Sequence, residues 1–315
     1  MTGGVLVVDK PAGPTSFDVV QRVRRLLRAE KAGHTGTLDP AATGVLAVCL
    51  DDAVKIQQWL VEGDKQYEAT VAFGVATDTE DAQGDVLARG DPAGIDAAAL
   101  RDALSGFLGE IEQVPPMYSA VRVGGRRLHE AARAGEEVAR APRRVRVHAL
   151  DLVAMEPLRE GILQARIHVS CGKGTYVRTL AADLGRALGV PAHLAALRRT
   201  RAGPFGIDGA LPLGEVEALG REGPGPLRAR LVSPADALAF LPTERLSRAE
   251  ARDLAHGKAV ARPGAADGLA RALGPDGRLL AVCAARGGTL QPVRVLVLPA
   301  ALGGDGGDRP PGDAG

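Results

Sequence analysis

Asparagine is missing altogether from the 315 residues, which removes every N-glycosylation sequon. Cysteine is scarce. Cys49, Cys171 and Cys283 are far apart, odd in number and form no CxxC pair. That pattern points to reduced thiols in a cytoplasm and argues against a structural zinc. No apolar run approaches the roughly 18 residues that cross a membrane. The N-terminal MTGGVLVVDKPAG has no basic region before its apolar stretch, so no export signal is expected. Lysine is rare too: six of the 39 basic residues. The remainder are arginines, which favour bidentate phosphate contacts, although an Arg/Ala/Gly-rich genome gives the same bias.

Nucleotide and hydrolase signatures are also lacking. There is no GxGxxG to hold a dinucleotide or methyl donor, and no GxSxG elbow. SCGKGT resembles a phosphate loop, but Gly174 stands where Ser or Thr is needed and Ile167 where the first glycine belongs. HEAAR at 129–133 lacks the second histidine of a zinc helix. His34 has no partner at ligand spacing, so no metal is expected.

What is present describes a globular chain of one large domain, or a large and a small one, with 45% hydrophobic residues and a net charge of +1. The near-neutral total hides an asymmetry. Residues 119–148 hold eight arginines against three glutamates, and residues 78–102 hold seven acids against two arginines. The first reads as a face for a polyanion and the second as a face turned away from it; a solvated charged surface is the plainer alternative.

Along the chain, GVLVVDKP reads as a short buried strand. Ser16 can cap a helix through about Lys31, with Val19, Val20, Val23, Leu26 and Leu27 on one stripe. A loop spans 33–46. YEATVAF alternates like a strand, and a helix is predicted near 96–108. The basic stretch opens at Pro115-Pro116, turns at Gly124-Gly125, and reads as a hairpin-plus-helix arm. Residues 162–189 read as strand, glycine turn and helix, with Thr175 as cap and Gly189 as stop. Gly172, Lys173 and Gly174 could hold a phosphate there. Residues 220–226 read as a loop. A small unit begins near Leu241, with a helix in SRAEARDLAHG and strands in RLLAVCAA and PVRVLVL. Residues 301–315 read as a disordered tail.

One short stretch invites chemistry. GHTGTLDPAATGVL places Asp39 before a proline, which keeps its backbone extended, among glycines that permit close approach. An Asp-Pro turn is an ordinary loop device, and the residues alone leave both readings open. Tyr67 and Tyr176, two of only three tyrosines, could stack on a base or pack in the core.

Five segments in order, VDKPAGPTSFDVV, KAGHTGTLDPAATGVL, KQYEATVAFGVATDTEDAQGD, VPPMYSAVRVGGRRLHEAARAGEE and CGKGTYVRTLAADLGRALGVPAHLAALRRTRAGPF, resemble the bacterial tRNA pseudouridine-55 synthase family over most of residues 4–206. The resemblance implies an α+β pseudouridine-synthase fold, with a mixed, largely antiparallel central sheet flanked by helices. It implies a catalytic domain at 1–240 with an RNA-clasping arm at about 115–148, and a small β-rich PUA-type domain at 241–300. It implies uridine isomerisation at position 55 of the tRNA T-loop, with base flipping, no cofactor and no metal. Asp39 is then catalytic. His34 helps displace the flipped bases, and Tyr67 stacks on the uracil and takes part in proton transfer. Tyr176 and Arg178 line the pocket, with Arg178 beside Asp39 keeping it ionised. Leu197 contacts the base, and Lys10-Pro11 supports the site. Arg122 and His129 depart from the family's usual lysine and tyrosine in the arm. A monomer in the cytoplasm, acting on the tRNA T-stem-loop without a membrane, is expected. A non-catalytic RNA-binding or tRNA chaperone protein, and an RNA-guided synthase subunit, are the alternatives.

Overall fold

In the computed structural model, residues 3–119, 122–123, 126–127, 136 and 138–297 are described. Among the described residues the main sheet has ten strands, eight of them on one path. Its path runs Leu211–Pro212, Val5–Lys10, Thr43–Leu50, Ala192–Ala202, Lys65–Phe73, Leu163–Cys171, Arg143–Met155 and Gly109–Gln113. Two pairings are parallel, Val5–Lys10 with Leu211–Pro212 and Thr43–Leu50 with Ala192–Ala202. The other pairings along the path are antiparallel. This is the mixed, largely antiparallel sheet that was expected.

The first strand is apolar at consecutive positions because it is buried on both faces. Leu6 and Val8 pack with Leu46, Val48 and Leu50 beneath the helix Ser16–Leu27. Val5 and Val7 point the other way, into a cluster with Val45, Ala47 and Cys49. The strand Lys65–Phe73 alternates as predicted: Tyr67, Ala69, Val71 and Phe73 enter a third cluster with Leu180 and Leu184 of the helix Val177–Ala187.

Several local expectations need correction. Thr15, not Ser16, caps the first helix, in a reciprocal capping box with Asp18. That helix ends at Leu27, well before Lys31. The loop from 33 is interrupted by a strand, Ala32–His34, and gives way to Thr43–Leu50. Residues 220–226 are not one loop: the helix Leu213–Arg221 ends there and Pro224–Arg228 begins, because Pro224 is well suited to a first helical turn. The central strand Ala192–Ala202, with five charged or polar side chains in its sequence, carried no strand pattern at all.

A second sheet of five strands runs Thr243–Arg245, Gly268–Leu273, Leu279–Arg286, Thr289–Val295, Val260–Ala261, packed by the helix Arg248–Ala255. Two of these strands were expected. The others are short or exposed on one side, so hydrophobic pattern marks them weakly. In the arm, Arg122–Val123 pairs with Arg126–Arg127 in a two-stranded hairpin. The arm's helix and the tail at 301–315 lie outside the described residues.

Candidate active site

Asp39 sits between the strands Ala32–His34 and Thr43–Leu50, and its loop is tied down on every side. Ser16 Oγ accepts from Leu38 N–H (2.8 Å) and donates to Leu38 C=O (2.9 Å). Lys10 Nζ donates to Pro11 C=O (2.9 Å) and Pro40 C=O (3.1 Å), and Gly13 N–H donates to Pro40 C=O (2.9 Å). The Arg199 guanidinium donates to the carbonyls of Val45 (2.8 Å), Gly36 (2.9 Å) and Thr37 (3.3 Å). Gly44, at φ +102°, lies so close to the Arg199 backbone that a Cβ there would overlap its carbonyl. Glycine is required at that crossing.

Against this frame the Asp39 carboxylate meets Arg178, whose Nε lies 3.0 Å from Oδ2. Arg178 comes from the first turn of Val177–Ala187 and also reaches Asp81 (3.6 Å), Thr79 C=O (3.0 Å) and Tyr118 C=O (2.9 Å). Its side chain is 6% exposed and that of Asp39 is 39% exposed. The cation is buried behind and the carboxylate opens outward.

Burial pushes the Asp39 carboxyl above its ordinary 3.8, and Arg178 is the largest opposing influence; Asp81 raises it further and Lys10 lowers it. Arg178 thus stands beside Asp39 and favours its ionised form, against a larger desolvation that opposes it. Lys10 is fully buried and pushed down to about 8, chiefly by desolvation, with Asp39 opposing and Arg199 assisting. Tyr67 is buried and raised above its usual value by desolvation, with Arg199 opposing, so its phenol stays protonated at neutral pH. His34 is lowered by burial and then by Arg199, and its Nδ1 accepts from Gly36 N–H (3.2 Å), as a neutral ring can.

The predicted residues thus gather, with one qualification. Asp39 pairs directly with Arg178, the Lys10 charge acts on Asp39 through space, and Tyr67 feels Asp39 and Arg199. His34 joins the set through Gly36 and Arg199. Leu197 stands opposite Ala69 on the central strand, one position from a half-exposed Arg198 that pairs with Asp9. Tyr176, half-buried, is the N-cap of the Arg178 helix; Thr175 instead donates to Gly172 C=O, which corrects its capping role. The glycine turn precedes the helix, and the exposed Lys173 side chain is paired with Glu62. Of the acidic stretch, Asp81 faces Arg178.

Ser16, Asp81, Gln113 and Arg199 were missed. Ser16 read as a cap, Arg199 as one of several arginines in LRRTR, and Asp81 as part of a solvated acidic face. Their roles come from contacts far away in sequence, which no local pattern carries.

Comparison with known proteins agrees with this geometry. The profile described as "TruB family pseudouridylate synthase (N terminal domain)" matches residues 24–177. "tRNA pseudouridylate synthase B C-terminal domain" matches 178–239 and "tRNA Pseudouridine synthase II, C terminal" matches 241–297. The chain is 50% identical over 295 residues to the tRNA pseudouridine synthase B of Aromatoleum aromaticum, covering 93% of this chain and 92% of that one. It is 45% identical over 304 residues to the same-named protein of Ralstonia nicotianae, covering 94% of each. Among solved structures it is similar to a chain of an H/ACA RNP bound to a substrate RNA containing 2'-deoxyuridine, with TM-score 0.71 and 26% identity, covering 94% of this chain and 86% of that one. A chain of the archaeal box H/ACA sRNP Nop10-Cbf5 complex aligns with TM-score 0.71 and 25% identity, over 96% and 88%. The fold is that of the pseudouridine synthases, and the chain belongs to the TruB family of pseudouridylate synthases.

Proposed function

We propose that the tRNA uridine this synthase isomerises to pseudouridine is position 55 of the T-loop, reached by flipping the nucleotide out of the loop, and that Asp39 carries the chemistry. The observation that supports this most is the exposure contrast: within a cluster of buried charges, the Asp39 carboxylate is the anion that opens outward, held 3.0 Å from a buried Arg178. The reaction breaks the N1–C1′ bond, turns the base and joins C5 to C1′. A base inside a folded loop must leave the stack before a side chain reaches it, and a carboxylate fixed by a braced loop meets it in one geometry. Attack at C1′, attack at C6 and removal of the 2′ proton all use the ionised carboxylate.

Around it, Tyr67 stacks on the uracil and serves proton transfer as a protonated phenol. His34 displaces neighbouring bases, Tyr176 and Leu197 line the pocket, and Lys10-Pro11 supports the loop. Residues 1–240 form the catalytic domain, with an arm at 115–148 that clasps RNA by phosphate contacts and shape. Residues 241–300 form a PUA-type unit that adds tRNA affinity. The enzyme works as a monomer in the cytoplasm, without metal or cofactor.

The test is a bare, unmodified tRNA transcript with purified protein and EDTA, with no guide RNA or other protein present. Pseudouridine at position 55 is the expected product. No product under these conditions, with activity restored by a guide RNA or by zinc or magnesium after tRNA folding is controlled, would overturn the stand-alone reading. Binding without product would favour a tRNA chaperone.

A further inference from the structure

The arm leaves the main sheet at a single fork. Gly109–Gln113 and Arg143–Met155 pair antiparallel from Gly109 opposite Val147 to Gln113 opposite Arg143. The intervening chain therefore departs from the Gln113–Arg143 pair, and Arg140 donates back across the fork to Pro115 C=O (3.1 Å). Gln113 is 2% exposed. Its amide is committed elsewhere: Oε1 accepts from Tyr176 N–H (3.0 Å) and Nε2 donates to Tyr176 C=O (3.2 Å).

Tyr176 caps the helix Val177–Ala187 without a capping bond from its own side chain. The Gln113 amide instead grips the cap residue's backbone on both sides. Two residues on, Arg178 donates to Tyr118 C=O (2.9 Å), five residues past Gln113, and meets Asp39 at 3.0 Å. The root of the arm and the start of this helix are stitched together at two points.

We propose that Gln113 is a positioning residue for the reaction: it fixes the Tyr176–Arg178 turn against the root of the arm and thereby sets the guanidinium that faces Asp39. The assignment rests on the pseudouridine-forming reading above. Glutamine fits the task because one planar amide supplies both a donor and an acceptor. An apolar side chain of similar length supplies neither, and a carboxylate supplies the acceptor alone.

The groups acting on Asp39 are Arg178 from the helix, Asp81 from the loop after Thr77, and Lys10 from the first strand. A guanidinium that drifts away weakens the largest influence favouring ionised Asp39, so the acid limb of the rate profile moves to higher pH. A merely structural loss lowers stability and leaves that limb in place.

Gln113→Met removes both bonds at similar length, and Gln113→Glu keeps the acceptor. Each full-length variant is compared with the wild-type enzyme and Asp39→Asn for single-turnover pseudouridine formation, tRNA Kd at fixed salt, and the pH–rate profile. Gln113→Met is expected to slow single turnover by about 100-fold, the scale of an ångström-sized misplacement of a reacting group. Its Kd should stay within about threefold, and its acid limb should rise, with Gln113→Glu intermediate. A folded Gln113→Met with wild-type rate and profile overturns the proposal, and so does a loss confined to Kd. Should Gln113→Met not fold, a wild-type rate and profile in Gln113→Glu overturns it. When the wild-type enzyme is active and Asp39→Asn is not, failure at Gln113 belongs to this inference alone; an inactive wild type brings down the reading beneath it.

Discussion

At the scale of single residues, the site holds a carboxylate that folding does not favour in its charged form. Asp39→Asn keeps the side chain's size and removes its charge. Single-turnover rate is expected to fall by about 10⁴-fold or more, the loss typical of removing a catalytic nucleophile. The tRNA Kd should change little, because affinity is spread over many contacts, and a rate within about tenfold of wild type, roughly 1.4 kcal/mol, would reduce Asp39 to a turn residue. The pH dependence follows from the raised carboxyl. With Asp39 acting as the ionised carboxylate, activity is expected above its folded-state pKa and is expected to be lost as pH falls through it, above the ordinary 3.8. Arg178→Met removes the main influence lowering that pKa, so its acid limb is expected at still higher pH. A limb that stays put, measured under single-turnover conditions, would show that Arg178 does not act on Asp39. Asp39 could be singled out in the sequence because its surroundings, a pre-proline position and flanking glycines, are local. Arg199 could not, because a buried guanidinium and an exposed one look alike until the strand that carries it is placed.

At the scale of elements, the arm and the catalytic loop are opposites. The loop's backbone is held by Ser16, Lys10 and Arg199. The arm's returning leg offers Arg143, Arg144 and Arg146 to solvent, alternating with buried Val145 and Val147. That alternation is the ordinary two-fold period of a strand with one face covered, and it could be read from the sequence as basic but not as a strand in the main sheet. Each neutralised phosphate contributes about −0.7 to −0.9 to the slope of log affinity against log salt. Replacing Arg126, Arg127, Arg143 and Arg144 with alanine is expected to flatten that slope in a salt titration of tRNA binding. An unchanged slope would mean that these arginines do not touch RNA. Helix positions were legible to within a few residues where an apolar stripe existed, as in Ser16–Leu27 and Ala97–Ser105. Their caps were less so: Ser16 is by propensity the better cap than Thr15, but its hydroxyl is committed to the Leu38 backbone and Thr15 caps instead.

At the scale of the whole molecule, the C-terminal sheet is not a detachable bead. Leu273, Leu279, Val282 and Leu296 share a buried cluster with Val5, Val7, Val45, Ala47 and Cys49, and Lys55 donates to Leu296 C=O (2.9 Å). Each such side chain contributes about 2 kcal/mol when fully buried. A chain ending at Phe240 is therefore expected to melt well below the full-length protein and to self-associate. What remains folded should keep its single-turnover rate, since the groups around Asp39 all precede residue 202. A melting temperature within about 2 °C of full length, a shift of about 1 kcal/mol for a protein this size, would contradict a shared core. Sequence reading saw two units because helix and strand signals restart after Leu241; it had no access to the shared cluster, whose halves are more than 200 residues apart in the chain. The same long reach governs how the protein comes into being. Val5 pairs with Val232, and the Arg199 guanidinium that clasps Gly36 belongs to a residue 163 positions later. Such distant closures make folding slow. On the ribosome, the apolar first strand can pair early with Thr43–Leu50, but the loop bearing Asp39 must wait until Arg178 and Arg199 have been translated. The nascent protein is catalytically silent and aggregation-prone through that interval.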